Sequence, residues 1–166
     1  FEIPATIRFK TGDSITDHPI TVREKSEDFY IPLEFAPEIV RFDPNFTILA
    51  KVTFSKPTPL LMAQLEDESD VIGRILAIHG LSKNKSQKTI DALKLSLNED
   101  SFHGVRMQAA DALKSIHTHE ALGALLSSAQ QSDARVRLRV QSAIGGFYNP
   151  DALESAIKSI EEESNP

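Results

Sequence analysis

Cysteine is absent from the 166 residues. That excludes a disulfide framework, a thiolate metal site and a thiol nucleophile. The same absence suits a reducing cytoplasm and a disulfide-free secreted chain; cytoplasmic residence is the favoured expectation, and an extracytoplasmic one stays open. No apolar run approaches the ~18 residues of a membrane-spanning helix, so no membrane partner is expected. A basic face is missing too. The formal net charge is −6, and acidic residues outnumber basic ones in both halves, so a nucleic-acid backbone is not an expected partner. Neither an initiator methionine nor a signal peptide begins the sequence. Phe1 already stands in a strand-like pattern, which leads us to expect a piece of a longer chain.

What is present is a globular composition, 40% hydrophobic and 25% charged, long enough for one large or two small domains. Residues 1–57 read as β. Ala5, Ile7 and Phe9 alternate with Thr6, Arg8 and Lys10, the period of a half-buried strand. Thr11-Gly12-Asp13 is a turn signal, and His18–Arg23 reads as a short second strand. Phe29, Ile31, Leu33 and Phe35 alternate with Tyr30, Pro32 and Glu34; Pro32 puts that strand at an edge or a bulge. Ile39–Phe42 is a further strand, Asp43-Pro44-Asn45 a turn, and Ile48, Ala50, Val52 and Phe54 alternate again. About five short strands predict part of an antiparallel β-sandwich, with an open edge if it is incomplete.

Pro57 and Pro59 mark the boundary, since proline stops a strand and suits the first turn of a helix. From Leu60 onward the spacing is helical. Val105, Ala109, Ala112, Leu113 and Ile116 share a face; so do Leu122, Leu125, Leu126 and Ala129, and again Leu153, Ala156, Ile157 and Ile160. Breaks fall at Lys83–Lys85, Asn98–Asp100, Thr118, Gln131–Asp133 and Asn149-Pro150. Three segments repeat: GRILAIHGL (Gly73–Leu81), VRMQAADAL (Val105–Leu113) and VRLRVQSAI (Val136–Ile144). Each carries an arginine, a small or apolar residue three on, and an apolar residue four further. Arg74, Arg106 and Arg137 stand 32 and then 31 residues apart, a period that signals stacked supersecondary units. The expected architecture is therefore a partial β-sandwich over 1–57, then an α-solenoid of about three helical hairpins over 58–166. An acid precedes each arginine: Asp70 and Asp133 by four residues, Asp100 by six. Such a carboxylate either caps the helix that follows it or pairs between repeats.

This pattern resembles HEAT-like or ARM-like repeats, which implies an arginine on the first helix of each hairpin, linked to an aspartate at the turn of its neighbour. A second resemblance rests on Val40, Phe42, Asp43 and Pro44, then Leu49, Val52 and Phe54, then Gln64-Leu65, Glu68, Asp70-Val71, Arg74 and Ala77. These residues look like the junction between the β-sandwich and the C-terminal helical domain of aminopeptidase N-like zinc metallopeptidases, and Phe29–Phe35 matches a strand of that sandwich. The likeness covers Phe1 to Leu81. It implies a non-catalytic C-terminal region that shapes or closes access to the peptide-cleaving site. It also implies an upstream catalytic domain of the same polypeptide as partner, with zinc held there. The family's H-E-x-x-H motif does not occur in this sequence. No catalytic residue, metal ligand or cofactor is therefore expected in this chain, and the chain alone is not expected to be an enzyme. Contacts with peptides or proteins would come from the second helices, near Ser86–Leu97 and Thr118–Ala129. The alternative is a HEAT-repeat interaction scaffold, or an aminopeptidase-like subunit without zinc in a larger complex.

The remaining candidates are weaker. His117-Thr118-His119-Glu120 reads as an interhelical turn with Thr118 as cap, or as a metal pair with His103 on the same rim. His79 reads as a partly buried, hydrogen-bonded histidine. Glu66–Asp70 and Glu161–Glu163 read as solvated carboxylates, Ser127-Ser128 lies in no nucleophile elbow, and Gly145-Gly146 is a break or a close-packing point. Arg135, Arg137 and Arg139 point in different directions from a helix.

Overall fold

The computed structural model describes residues 2–162. Phe1, Glu163 and Ser164–Pro166, which belong to the first-strand and acidic-tail readings, lie outside the described residues. Three strands form one antiparallel sheet in the order β2-β1-β3: β1 (Ile3–Thr11), β2 (Ser14–Val22) and β3 (Ile39–Phe42). Gly12 and Asp13 join β1 to β2, and Gly12 takes φ 53°, a conformation that glycine adopts without a Cβ penalty. Ile7 lies opposite His18 and Phe42, and Phe9 opposite Thr16 and Val40. Ala5, Ile7, Phe9, Val40 and Phe42 therefore share one face, and Arg8, Lys10, Ile39 and Arg41 the other.

The described residues thus hold one sheet of three strands, where the alternation predicted five strands of a sandwich. β2 begins at Ser14 and not at His18. Neither Phe29–Phe35 nor Ile48–Phe54 is a strand, and Tyr30 and Leu49 are exposed. The reason is pairing. Alternation makes a segment compatible with a ladder, but a strand forms only where a neighbour completes the backbone hydrogen bonds.

Seven helices follow: α1 (Thr58–Glu66), α2 (Val71–Leu81), α3 (Gln87–Glu99), α4 (His103–Ile116), α5 (His119–Ser127), α6 (Ala134–Ile144) and α7 (Pro150–Glu162). Pro57 stands at the N-cap of α1 and Pro59 in its first turn, where the missing N–H has no intrahelical partner to lose. Ser86 and Thr118 cap α3 and α5 with their hydroxyls. α1 packs on α2, α3 on α4 and α5 on α6; α2, α4 and α6 stack as one layer, and α3 and α5 adjoin in the other. The arginines therefore lie on the second helix of each hairpin, not the first as the repeat likeness implied. The similarity in sequence begins at the arginine helix, but α1 precedes it and supplies the first half of the first hairpin.

The repeat encodes this stacking. Three and seven residues after each arginine come Ala77 and Leu81, Ala109 and Leu113, Val140 and Ile144, all buried in the same core. These are successive positions on one helical face. α7 breaks the pattern. Leu153, Ile157 and Ile160 were expected to face inward, yet they are exposed, and Ala152 is the residue buried. Periodicity defines a stripe, but which stripe meets a neighbour is decided by the neighbour. α7 packs on α6 along the side that carries Ala152.

Candidate functional site

Each repeat arginine has a common backbone role. Arg74 Nη1 donates to the carbonyls of Asp67 and Glu68 at 2.9 and 2.7 Å, Arg106 Nη1 to that of Asp100 at 2.6 Å, and Arg137 Nη1 to those of Gln131 and Ser132 at 2.9 and 3.1 Å. In each case the guanidinium reaches back to the turn that precedes its own helix and satisfies carbonyls there. The carboxylates differ from one another. Asp70 caps α2, accepting from Gly73 N at 2.7 Å, and Asp133 caps α6, accepting from Arg135 N at 2.9 Å. Asp100 follows α3 and is not the N-cap of α4, a place taken by Phe102. Instead it crosses between hairpins: Arg74 Nε and Nη2 donate to its two oxygens at 2.7 and 3.1 Å. The Arg74 and Asp100 side chains are 4% and 8% exposed. Arg106 and Asp133 are not joined by a hydrogen bond or ion pair among the described residues. Arg135 pairs with Asp133 on the surface and holds its carboxyl well below the usual carboxylate range.

The same device ties the sheet to the helices. Arg41, on β3, donates through Nη1 to Asp70, so the sheet meets α2 as α2 meets the turn before α4. Arg8 lies opposite both Asp17 and Arg41, and it takes both Asp17 oxygens at 2.7 Å. A row of charges, Asp17, Arg8, Arg41 and Asp70, thus runs across the sheet into the first hairpin, with the like-charged neighbours each compensated from outside. Lys10 adds a contact to Asp67 at 2.9 Å. Burial alone would raise the Asp67 carboxyl, but hydrogen bonds from Ser69 and Lys10 lower it on balance. Gln64, buried on α1, donates to Gly73 O at 2.6 Å and accepts from Lys56. Lys56 also donates to Val40 O at 3.0 Å. Burial, followed by repulsion from Arg41, pulls the Lys56 ammonium down to about 8.

The turn at Asp43-Pro44 is held by the buried Asp43. Its carboxylate accepts from Thr47 N, Thr47 Oγ1 and Ile48 N at 2.9, 2.7 and 2.9 Å, and its φ is 44°. Arg41, Lys10, Lys56 and Asp67 were not singled out from sequence. The available signal is Arg41 itself, which shares a strand face with the buried Ile39 and alternates with the apolar Val40 and Phe42.

Two clefts flank this framework. One, of about 410 Å³, lies between α1 and α3 and is floored by Met62, Leu65, Ala92 and Leu95. Leu95 is 57% exposed. Glu66, Glu68 and Glu99 stand around it without an ion-pair partner among the described residues; the arginine in its wall, Arg74, is bound to Asp100. The other, of about 550 Å³, lies between the segment after β3 and the α1–α2 hairpin.

The histidines do not converge. His117 ends α4 at φ 54° and stacks on Phe147 at 4.4 Å. His119 starts α5, His103 packs beside Phe102, and His79 Nε2 bonds Gln108 Oε1 at 2.8 Å. Among the described residues no group of three or more His, Cys, Asp or Glu is placed to hold a metal ion, and no helix is long and apolar enough to cross a membrane.

Stacked helical hairpins with an arginine–carbonyl clasp in each repeat define an α-helical repeat protein. The family model for HEAT repeats matches residues 58–145, more than half of the chain, and the chain belongs to the HEAT repeat family. No curated protein matches it. Nothing in these comparisons carries aminopeptidase or zinc character.

Proposed function

We propose that this chain is a protein-interaction module whose groove between α1 and α3 takes a partner segment bearing both basic and apolar side chains. The observation that carries the reading is the composition of that groove. An apolar floor bounded by three carboxylates that have no ion-pair partner among the described residues offers desolvation to an apolar side chain and attraction to a flanking cation. α3 is among the helices expected from sequence to make partner contacts. The roles of Asp70, Arg74, Asp100, Arg106, Asp133 and Arg137 as structural repeat residues, and the division into units 1–57 and 58–166, belong to this proposal: a sheet unit clasped to a helical unit by the junction at Asp43, Pro44, Pro57 and Pro59. The test is fluorescence anisotropy with a labelled amphipathic peptide of lysine and leucine. Binding is expected to weaken with salt and to fall about tenfold in Leu95→Asp or Glu99→Lys. It is expected to be unchanged in Leu138→Asp on α6. Equal affinity across the three variants would refute the groove as the site.

A finer reading makes the module the accessory lobe of an aminopeptidase N-like zinc metallopeptidase, or of a relative that has lost its zinc site. The sheet–helix junction favours it. Arg41–Asp70 and Lys10–Asp67 clasp the two units across the region where the motif likeness lies. Reading the gene upstream of Phe1 tests it: H-E-x-x-H with a later glutamate supports the enzyme, the same domain without that motif supports the zinc-free relative, and an unrelated sequence refutes both.

A further inference from the structure

The cleft after β3 has apolar walls and a cationic end. Phe46, Ile48, Val52, Phe54, Leu61 and Leu76 supply the walls. Arg41, Lys56 and Lys83 supply positive charge, and Asp43 is the carboxylate in the lining. Asp43 accepts from Thr47 and Ile48, and no ion pair joins it to Arg41 or Lys56 among the described residues. Arg41 is 2% exposed. Its Nη1 meets Asp70, but its Nη2 is buried with no hydrogen-bond partner. Buried polar groups in native proteins are nearly always satisfied, so an orphan donor calls for an explanation. Lys56 has the complementary shortage. Its ammonium carries three donors, directed to the neutral oxygens of Val40 and Gln64 and set 5.1 Å from the Phe54 ring centre. No carboxylate pairs with it among the described residues. Two neighbouring cations, one with an unused donor and the other without a counter-ion, repel each other in a partly dry site.

We propose that this cleft binds a small organic acid, its carboxylate seated between Arg41 and Lys56 and its apolar body against Phe46, Val52 and Phe54. A carboxylate supplies what the site lacks: acceptor lone pairs for the orphan guanidinium nitrogen and a negative charge for the ammonium. The volume lies within the range of small-ligand pockets, and few polar groups on apolar walls is their usual make-up. The site is separate from the α1–α3 groove and does not depend on it.

The probes are 3-phenylpropionate and its amide, titrated into the isotopically labelled 166-residue chain and followed by backbone amide NMR. The acid is expected to saturate and to shift the amides of Arg41, Phe46, Phe54 and Lys56. The amide is expected to bind at least about tenfold more weakly. Lys56→Met is expected to weaken the acid by a similar factor, while Leu95→Asp leaves it unchanged. Equal binding of acid and amide would reduce the site to an apolar crevice and overturn the proposal. Non-saturating shifts scattered over surface lysines would overturn it as well. Comparing acid with amide on the unaltered chain decides the matter even if Lys56→Met fails to fold.

Discussion

Removing the Asp100 carboxylate strikes an ion pair that joins two hairpins through repeat residues, Arg74 and Asp100. Asp100→Ala deletes three hydrogen bonds at once, from Arg74 Nε, Arg74 Nη2 and Phe102 N, at 2.7, 3.1 and 2.8 Å. What remains is a guanidinium whose side chain is 4% exposed, with only Nη1 still satisfied, by Asp67 O and Glu68 O. Breaking a buried pair from one side costs about 3–5 kcal/mol, because the surviving charge is neither paired nor solvated. Against a typical total of about 5–15 kcal/mol, that moves a urea midpoint by a large fraction. Arg74→Met removes the charge but frees the two carbonyls, and the double variant leaves no orphan charge. The double variant is therefore expected to be more stable than the sum of the single losses implies, by about 1–3 kcal/mol. The assay is urea unfolding followed by circular dichroism on the four members of the cycle, with the slope compared to exclude a change in the unfolded state. Asp133→Ala is the comparison, since its carboxylate caps α6 and pairs on the surface but joins no second hairpin, and it is expected to cost only the cap, clearly less than Asp100→Ala. A loss below about 1 kcal/mol for Asp100→Ala, or strict additivity in the cycle, would refute the reasoning.

Other consequences follow from the junction. Lys56 is held near 8 when folded against 10.5 for the free side chain. The unfolded chain thus binds more protons between those values, and stability rises with pH across that window. Relative to Lys56→Met, the gain is expected to be about 1–2 kcal/mol after solvent screening, read from urea midpoints between about pH 7.5 and 10.5, the span over which the side chain titrates; parallel curves would refute it. Burial acts to raise the Asp43 carboxyl, but the three donors from Thr47 and Ile48 lower it on balance. Its contribution is therefore present above the ordinary pH of 3.8 and lost as the pH falls through its depressed folded value. Asp43→Ala is expected to cost about 2 kcal/mol at neutral pH, measured by thermal melting. A methyl added at Gly73 would lie 2.5 Å from Arg41 Nη1 and 2.6 Å from Asp70 Oδ2. Gly73→Ala is thus expected to destabilise the chain by about 1–3 kcal/mol despite alanine's better helix propensity, with hydrogen exchange rising first in β3 and α2.

The helical layers were legible because their determinants are local. Arg74, Arg106 and Arg137 carry Ala77, Ala109 and Val140 one turn on and Leu81, Leu113 and Ile144 two turns on, and that spacing buries one face wherever a similar helix lies beside it. Hydroxyl caps such as Ser86 and Thr118 and the prolines at α1 also act within a turn of their own positions. The residues that hold the sheet to the helices were less legible, since their partners are remote in sequence: Arg41 with Asp70, Lys10 with Asp67, Arg74 with Asp100. A charged residue between apolar ones looks like a solvent face until the opposing carboxylate is located.

By itself the sequence determined the helical period, the repeat, the start of the helices after Pro57 and the absence of thiols. These rest on composition and on spacings within one or two turns. Only the tertiary structure decided that Ile48–Phe54 stays out of the sheet, that the polar face of β1 and β3 is the one that meets the helices, that Asp100 crosses between hairpins, and that α7 turns Leu153, Ile157 and Ile160 outward. Each of those outcomes depends on which neighbour arrives to complete a hydrogen bond, a charge pair or an apolar contact, and spacing along a chain does not encode the identity of a neighbour.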